Sequence, residues 1–244
     1  MRLAKKIAES GIASRREAER IIEAGRVFVD GAKILTPVCF VDDNNIIAID
    51  GKAISNKSTE VKLWKFYKPR GVITTKNDPK SRVTVFDIIN QAIPELHGRF
   101  LYIGRLDYNS EGLLLFTNDG NFARMMELPK TQVPRTYRVR ILGHLTREQL
   151  EQIRKGVTID GIHYKGMFIQ INSSYLNKNS SVNTWITITL NEGKNREIRK
   201  VMEHFGCKVN RLIRLSYGDI ELGKMQPGEI QQVTYSKYLK ESES

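Results

Sequence analysis

The apolar positions of this chain change period repeatedly, and each change marks a predicted element. Leu3, Ala4, Ile7 and Ala8 recur at helical spacing and stop before Gly11. Ser14 and Glu17 then stand at the spacing of a capping box, in which each side chain satisfies a free N–H at a helix start. Ala18, Ile21 and Ile22 give that helix an apolar stripe, and Gly25 ends it. Val27 to Ile34 alternates about Asp30-Gly31, the pattern of a tightly turned hairpin. Residues 53–60 lose the periodicity and read as a linker.

Beyond Val61 the dominant period is two. Strands are predicted at Val61–Tyr67, Val72–Thr75, Phe100–Ile103, Leu113–Phe116, Thr136–Ile141, Phe168–Ile171, Trp185–Leu190, Val209–Leu215 and Ile220–Leu222. A second Asp-Gly hairpin is predicted over Val157–Tyr164. Helices are expected over Val85–Ile89, Asn121–Leu128, the capping box Thr146/Gln149 to Gly156, and from beyond Arg196 to Phe205. The class is α+β. A module of two helices and a hairpin (residues 1–52) is followed by the linker, and a larger domain (61–236) is built on a mixed, largely antiparallel sheet. Residues 237–244 read as a flexible tail.

Between Phe100–Ile103 and Leu113–Phe116 lies Gly104-Arg105-Leu106-Asp107-Tyr108-Asn109-Ser110, a charged turn joining two apolar runs. Loops held by a rigid scaffold are where catalytic groups concentrate. On pattern alone, a solvated surface turn is the favoured reading, since charged turns are common and active sites few.

Composition narrows the partner. The 244 residues carry a formal charge of +12, which favours a polyanion, either nucleic acid or an anionic membrane surface. No apolar run approaches the roughly 20 residues that span a bilayer. No apolar signal core follows Met-Arg-Leu-Ala-Lys-Lys, so a cytoplasmic protein is expected. Cys39 and Cys207 lie far apart, and His97, His144, His163 and His204 show no ligand spacing, so no structural metal is expected. Lys76, Lys80, Arg82, Arg124, Lys130, Arg135, Lys194, Arg196, Lys200, Arg211 and Arg214 spread positive charge around the larger domain's polar segments.

Residues 11–31, with Ala-Ser-Arg-Arg-Glu-Ala and Gly-Arg-Val, resemble the S4 RNA-binding module. That resemblance implies that Arg15, Arg16 and Arg20 face structured RNA, with Lys6 and Arg26 among the contacts. Four later segments, in order, resemble the ribosomal RNA pseudouridine synthases that carry an S4 module. They are Lys68-Pro69-Arg70-Gly71, Gly104 to Leu114, Lys130 to Val139 ending Thr-Tyr-Arg-Val, and Leu190 to Lys200. The resemblance implies isomerisation of uridine without cofactor or metal. Asp107 is then the catalytic carboxylate, Tyr137 lies against the base, and Arg199 lowers the aspartate's pKa and aims it, with Arg105 in support. Lys68, Arg70, Arg82, Lys194 and Arg196 become RNA contacts.

The implied partner is ribosomal RNA or a pre-ribosomal particle, met by a monomer with no obligate protein partner. The Asn-Arg-Glu-Ile-Arg form at 195–199 is similar to large-subunit enzymes, which favours 23S over 16S rRNA. One competing reading is a non-catalytic S4-type ribosome-assembly protein, against which the joint presence of Asp107, Tyr137 and Arg199 speaks. Another is a hydrolytic nucleoside glycosidase, which needs two carboxylates in distinct roles, and Glu111 is the only other acid in the turn motif.

Overall fold

The computed structural model describes residues 1–10, 12–54, 61–76, 78–94, 100–171 and 182–234. The expected tail over 237–244 and most of the expected linker lie outside them.

The small module opens with helices α1 (Leu3–Glu9) and α2 (Arg15–Glu23). Ser14 caps α2 by accepting the Glu17 N–H at 3.2 Å. Two Asp-Gly turns follow. Asp30-Gly31 joins β1 (Val27–Val29) to β2 (Ala32–Ile34), and Asp50-Gly51 joins β3 (Ile47–Ile49) to β4 (Lys52–Ala53). All four turn residues have positive φ, which these residue types tolerate. The expectation of one hairpin is therefore incomplete: the module is a four-stranded sheet in the order β2-β1-β3-β4. Ala53 belongs to its last strand, and Ile54 is buried in the module's own core with Leu3, Ile7, Ile22 and Val27.

The larger domain begins with β5 (Leu63–Lys68) and α3 (Val85–Ala92), the latter started by a capping box between Thr84 and Asp87. The strand expected at 72–75 reduces to a single bridge, Ile73 to Thr84. Next come β6 (Leu101–Ile103), β7 (Glu111–Thr117), α4 (Gly120–Glu127), β8 (Arg135–Gly143), α5 (Arg147–Lys155) and the hairpin β9 (Val157–Ile159) and β10 (Ile162–Tyr164). The chain continues through β11 (Phe168–Gln170), β12 (Val182–Leu190), α6 (Glu197–His204), β13 (Lys208–Tyr217), β14 (Ile220–Glu221) and β15 (Ile230–Val233). Gln231 and Gln232 interrupt the apolar pattern of β15, which is why that edge strand has no sequence counterpart.

The main sheet runs β11-β12-β8-β13-β7-β5-β15, with β6 on β7 and β14 on β13. Neighbours pair antiparallel except β7 and β13, which meet in parallel through Glu111–Ile213 and Gly112–Arg214. Every residue of β7 is buried, because both faces are covered. Leu114 and Phe116 join one core with residues of α3, α5 and α6, whereas Leu113 and Leu115 join a second core with Phe122 and Met126 of α4. A continuous apolar run is the sequence of such a strand. No described helix is long and apolar enough to cross a membrane.

Candidate active site

The turn from Gly104 to Ser110 leaves β6 and enters β7. Hydrogen bonds reach five of its seven residues. The Gly104 N–H donates to Glu127 Oε1 at 2.6 Å, and Thr74 Oγ1 donates to the Leu106 carbonyl at 2.9 Å. The Gly71 N–H donates to the Tyr108 carbonyl at 2.8 Å. Arg199 Nη2 donates to the Asn109 carbonyl at 3.2 Å, and Lys68 Nζ to the Ser110 carbonyl at 2.8 Å. A turn braced from so many elements holds its remaining side chains in fixed directions, which a preorganised site requires.

Asp107 projects from this turn into a cavity of about 730 Å³. Tyr137 on β8 and Arg214 on β13 contribute to its wall from the sheet, with Arg105 at the turn and Lys194, Arg196 and Arg199 around the start of α6. Arg196 pairs with Asp107 at 3.5 Å. Its backbone is left-handed, φ 53°, at the residue that caps α6. This corrects the expectation for Arg199, whose guanidinium donates to the main-chain carbonyls of Val209 and Asn109 at 3.0 and 3.2 Å. Burial pushes the Arg199 pKa down, Arg196 repels it further, and Asp107 opposes both. Arg199 therefore supplies field and bracing, while Arg196 makes the ion pair.

Lys68 requires a second correction. It is fully buried, so it cannot touch RNA from its place in the fold. Its ammonium donates to the Ser110 and Pro69 carbonyls at 2.8 and 3.0 Å. Burial pushes its pKa down to about 8, against the opposing pull of Asp107 and Glu111. Among the other expected RNA contacts, Lys194 and Arg196 line the cavity, and Arg70 is exposed and near enough to Arg199 to repel it. Arg82 is fixed to Asp78 at 2.8 Å, with its guanidinium 6.0 Å from the Tyr108 ring centroid. In the small module Lys6 pairs with Asp43, Arg20 with Glu17 and Arg26 with Asp50. Arg15 and Arg16 are exposed and carry no ion pair among the described residues.

A scan against family models matches residues 62–204 to RNA pseudouridylate synthase and residues 1–37 to the S4 domain. A protein described as an uncharacterized RNA pseudouridine synthase of Rickettsia prowazekii is 44% identical, over 96% of this chain and 94% of its own. The chain belongs to the RNA pseudouridine synthase family. Relatives named ribosomal large subunit pseudouridine synthase B include those of Yersinia pestis and Salmonella typhi. The first is 40% identical over 93% of this chain and 70% of its own. The second is 41% identical over 93% and 76%. A crystal structure titled pseudouridylate synthase shares the fold, with a TM-score of 0.68 at 23% identity over 98% of this chain and 99% of that one.

Two features of this synthase's cavity escape a reading of its sequence. The first is a pair of buried carboxyl groups, Glu192 and Glu197. Glu192 accepts from Lys194 Nζ at 2.6 Å and from the Lys165 N–H at 2.7 Å, and Glu197 accepts from the Lys194 N–H at 2.9 Å. Glu197 Oε1 is buried with no hydrogen-bond partner among the described residues, and the Glu192 carboxylate nearby favours a proton on Glu197. Burial first, and Glu192 second, push the Glu197 pKa up to about 8. Burial also resists ionisation of Glu192, but hydrogen bonds from Lys194, Lys165 and the Glu197 acid together hold its pKa low. The pair thus fixes the turn that presents Arg196.

The second is Arg214, which is 2% exposed and donates through Nε to the Leu113 carbonyl at 2.6 Å. Its Nη2 has no partner among the described residues, leaving a donor at the cavity wall. Both features come from burial of charged side chains, which in sequence look like surface residues.

Proposed function

We propose that this synthase converts one uridine of 23S ribosomal RNA to pseudouridine, with Asp107 as the catalytic carboxylate. The placement of Asp107 carries the reading: it is aimed into the cavity from a braced turn, ion-paired to Arg196 and sharing the cavity with Tyr137. The names of the Yersinia pestis and Salmonella typhi relatives support the large-subunit substrate. The S4 match and the charge of +12 support RNA as the partner.

In this reaction the N1–C1′ bond of uridine breaks, the base turns, and C5 bonds to C1′. Nothing is oxidised and nothing leaves. Departure of the base gives C1′ cation-like character, which an ionised carboxylate relieves by covalent capture or by removing a sugar proton. Arg196 aims Asp107 through the ion pair, and Arg199 adds positive charge beside it. Tyr137, largely buried on its strand, offers a ring to the displaced uracil and a hydroxyl to the C5 proton. The target nucleotide must leave its stack to reach this depth. The enzyme acts in the cytoplasm as a monomer, on rRNA or a pre-ribosomal particle, through Asp107, Tyr137 and Arg199 with Arg105 in support.

Pseudouridine mapping by carbodiimide-blocked reverse transcription tests this, using rRNA from cells with and without the protein. One 23S position is expected to lose its mark and to regain it with wild-type protein but not with Asp107→Asn. Restoration by Asp107→Asn would remove the catalytic assignment, and a mark lost from 16S rRNA would move the substrate.

A further inference from the structure

Among the described residues, the main sheet has one face whose covering stops halfway. Alternation along β8 sends Tyr137, Val139 and Ile141 into the core shared with α5 and α6, so Arg138 and Arg140 point to the opposite side, where both are exposed. Register carries that side across the sheet: Trp185 lies opposite Arg140, Thr187 opposite Arg138, and Arg211 opposite Arg140 from the other flank. The core under α4 reaches this side only as far as Ile213. Beyond it, the half-buried Trp185 ring has guanidinium groups within cation–π distance, Arg138 at 4.8 Å and Arg211 at 6.0 Å. A shallow depression of about 410 Å³ adjoins the ring, edged by Arg138, Gln170 and Thr187.

Most of the charge here is uncompensated among the described residues. Strands β8, β11, β12 and β13 contain no Asp or Glu. Glu111, at the margin on β7, pairs with Arg211 at 2.7 Å. Arg138 and Arg140 have no carboxylate partner among the described residues.

We infer that this uncovered sheet face is a second RNA-contact surface, which stacks an unpaired base at Trp185 and holds its phosphates on Arg138 and Arg140. The components match the needs of single-stranded RNA. A half-buried aromatic ring with guanidinium neighbours offers stacking to any base, and arginines without a carboxylate partner among the described residues take phosphate oxygens. The Gln170 amide and Thr187 hydroxyl can hydrogen-bond a base edge at the rim. A basic protein partner would find no carboxylates here, and an acidic one would leave the amide and hydroxyl groups without a role. The inference rests on RNA being the substrate, and it makes the substrate a molecule that wraps the sheet to reach both faces.

The test uses the full chain with transcribed 23S rRNA and with a poly(U) oligonucleotide. Trp64 is buried, so RNA-dependent quenching of tryptophan fluorescence reports on Trp185. Quenching is expected in the wild type and is expected to vanish in Trp185→Phe. Arg138→Glu combined with Arg140→Glu is expected to weaken binding to both RNAs about tenfold. It should also lower the salt slope by about 1.5, as expected for two lost phosphate contacts. Turnover at saturating rRNA should stay unchanged, since neither residue lines the catalytic cavity.

Unaltered affinity and slope in a folded double variant would overturn the inference while leaving the catalytic reading intact. Absence of quenching in the wild type would overturn it without any variant. Quenching by anionic lipid vesicles but not by RNA would assign the face to a membrane surface instead.

Discussion

Lys68 is a cation with no route to solvent, held by two main-chain carbonyls behind the turn that carries Asp107. Lys68→Met fills similar space but leaves both carbonyls unpaired. Unfolding is expected to become easier by about 1–3 kcal/mol, and kcat should fall while RNA affinity holds. A loss of affinity with kcat intact would return Lys68 to the RNA surface. Glu197 gives a pH-dependent counterpart. Its proton is held to a pKa of about 8 in the folded chain, against 4.5 for an ordinary glutamate. Between those values the folded chain binds more protons than the unfolded one, so stability declines as pH rises through the window and levels off above it. Glu197→Gln keeps a neutral donor in place. Its melting temperature relative to wild type should rise from pH 5 to pH 8, and its activity should persist above pH 8, where the wild type declines. Parallel thermal scans and pH–rate profiles of the two proteins check both, and superimposable profiles would take the proton off Glu197.

At the scale of elements, the contact between β7 and β13 admits little change. A Cβ on Gly112, where φ is +100°, would lie 2.4 Å from the Arg214 carbonyl oxygen and 2.7 Å from its nitrogen. Because backbone cannot swing aside as a side chain can, Gly112→Ala is expected to destabilise by about 3 kcal/mol or more, measured by denaturant unfolding. Much of the element plan was legible in the chain. Apolar periods placed every described α-helix and most described strands, because those elements bury one face or both. The edge strand β15 was not, since half its residues are glutamine and its two apolar residues, Ile230 and Val233, are only partly buried against the cores. In the candidate site, the turn pattern alone left Asp107 as a surface residue; the motif resemblance singled it out, and the structure places it in the cavity. The roles of Arg196 and Arg199 were not legible. They stand three residues apart, and the left-handed backbone at Arg196 is what sends that side chain to Asp107.

For the whole molecule, two predictions concern binding. The small module keeps its own core of residues between Leu3 and Ile54, apart from the two cores of the larger domain. Deletion of residues 1–54 is therefore expected to leave a folded larger domain with a cooperative melt and weaker RNA binding. A truncated chain without a cooperative melt would show that the two cores depend on one another. RNA affinity of the intact chain should fall steeply with salt, in keeping with the +12 charge and counterion release. A flat response of affinity between 50 and 200 mM salt, chosen as a range over which multi-phosphate contacts lose about 10³ or more, would exclude a mainly electrostatic grip. The parallel meeting of β7 with β13 also dictates an order of events during synthesis. Asp107 is made early, but Arg196 comes about ninety residues later, and Arg214 with its strand β13 more than a hundred residues later. The cavity around Asp107 is therefore incomplete in a nascent chain until β13 has emerged and crossed to β7, a long-range closure of the slow-forming kind.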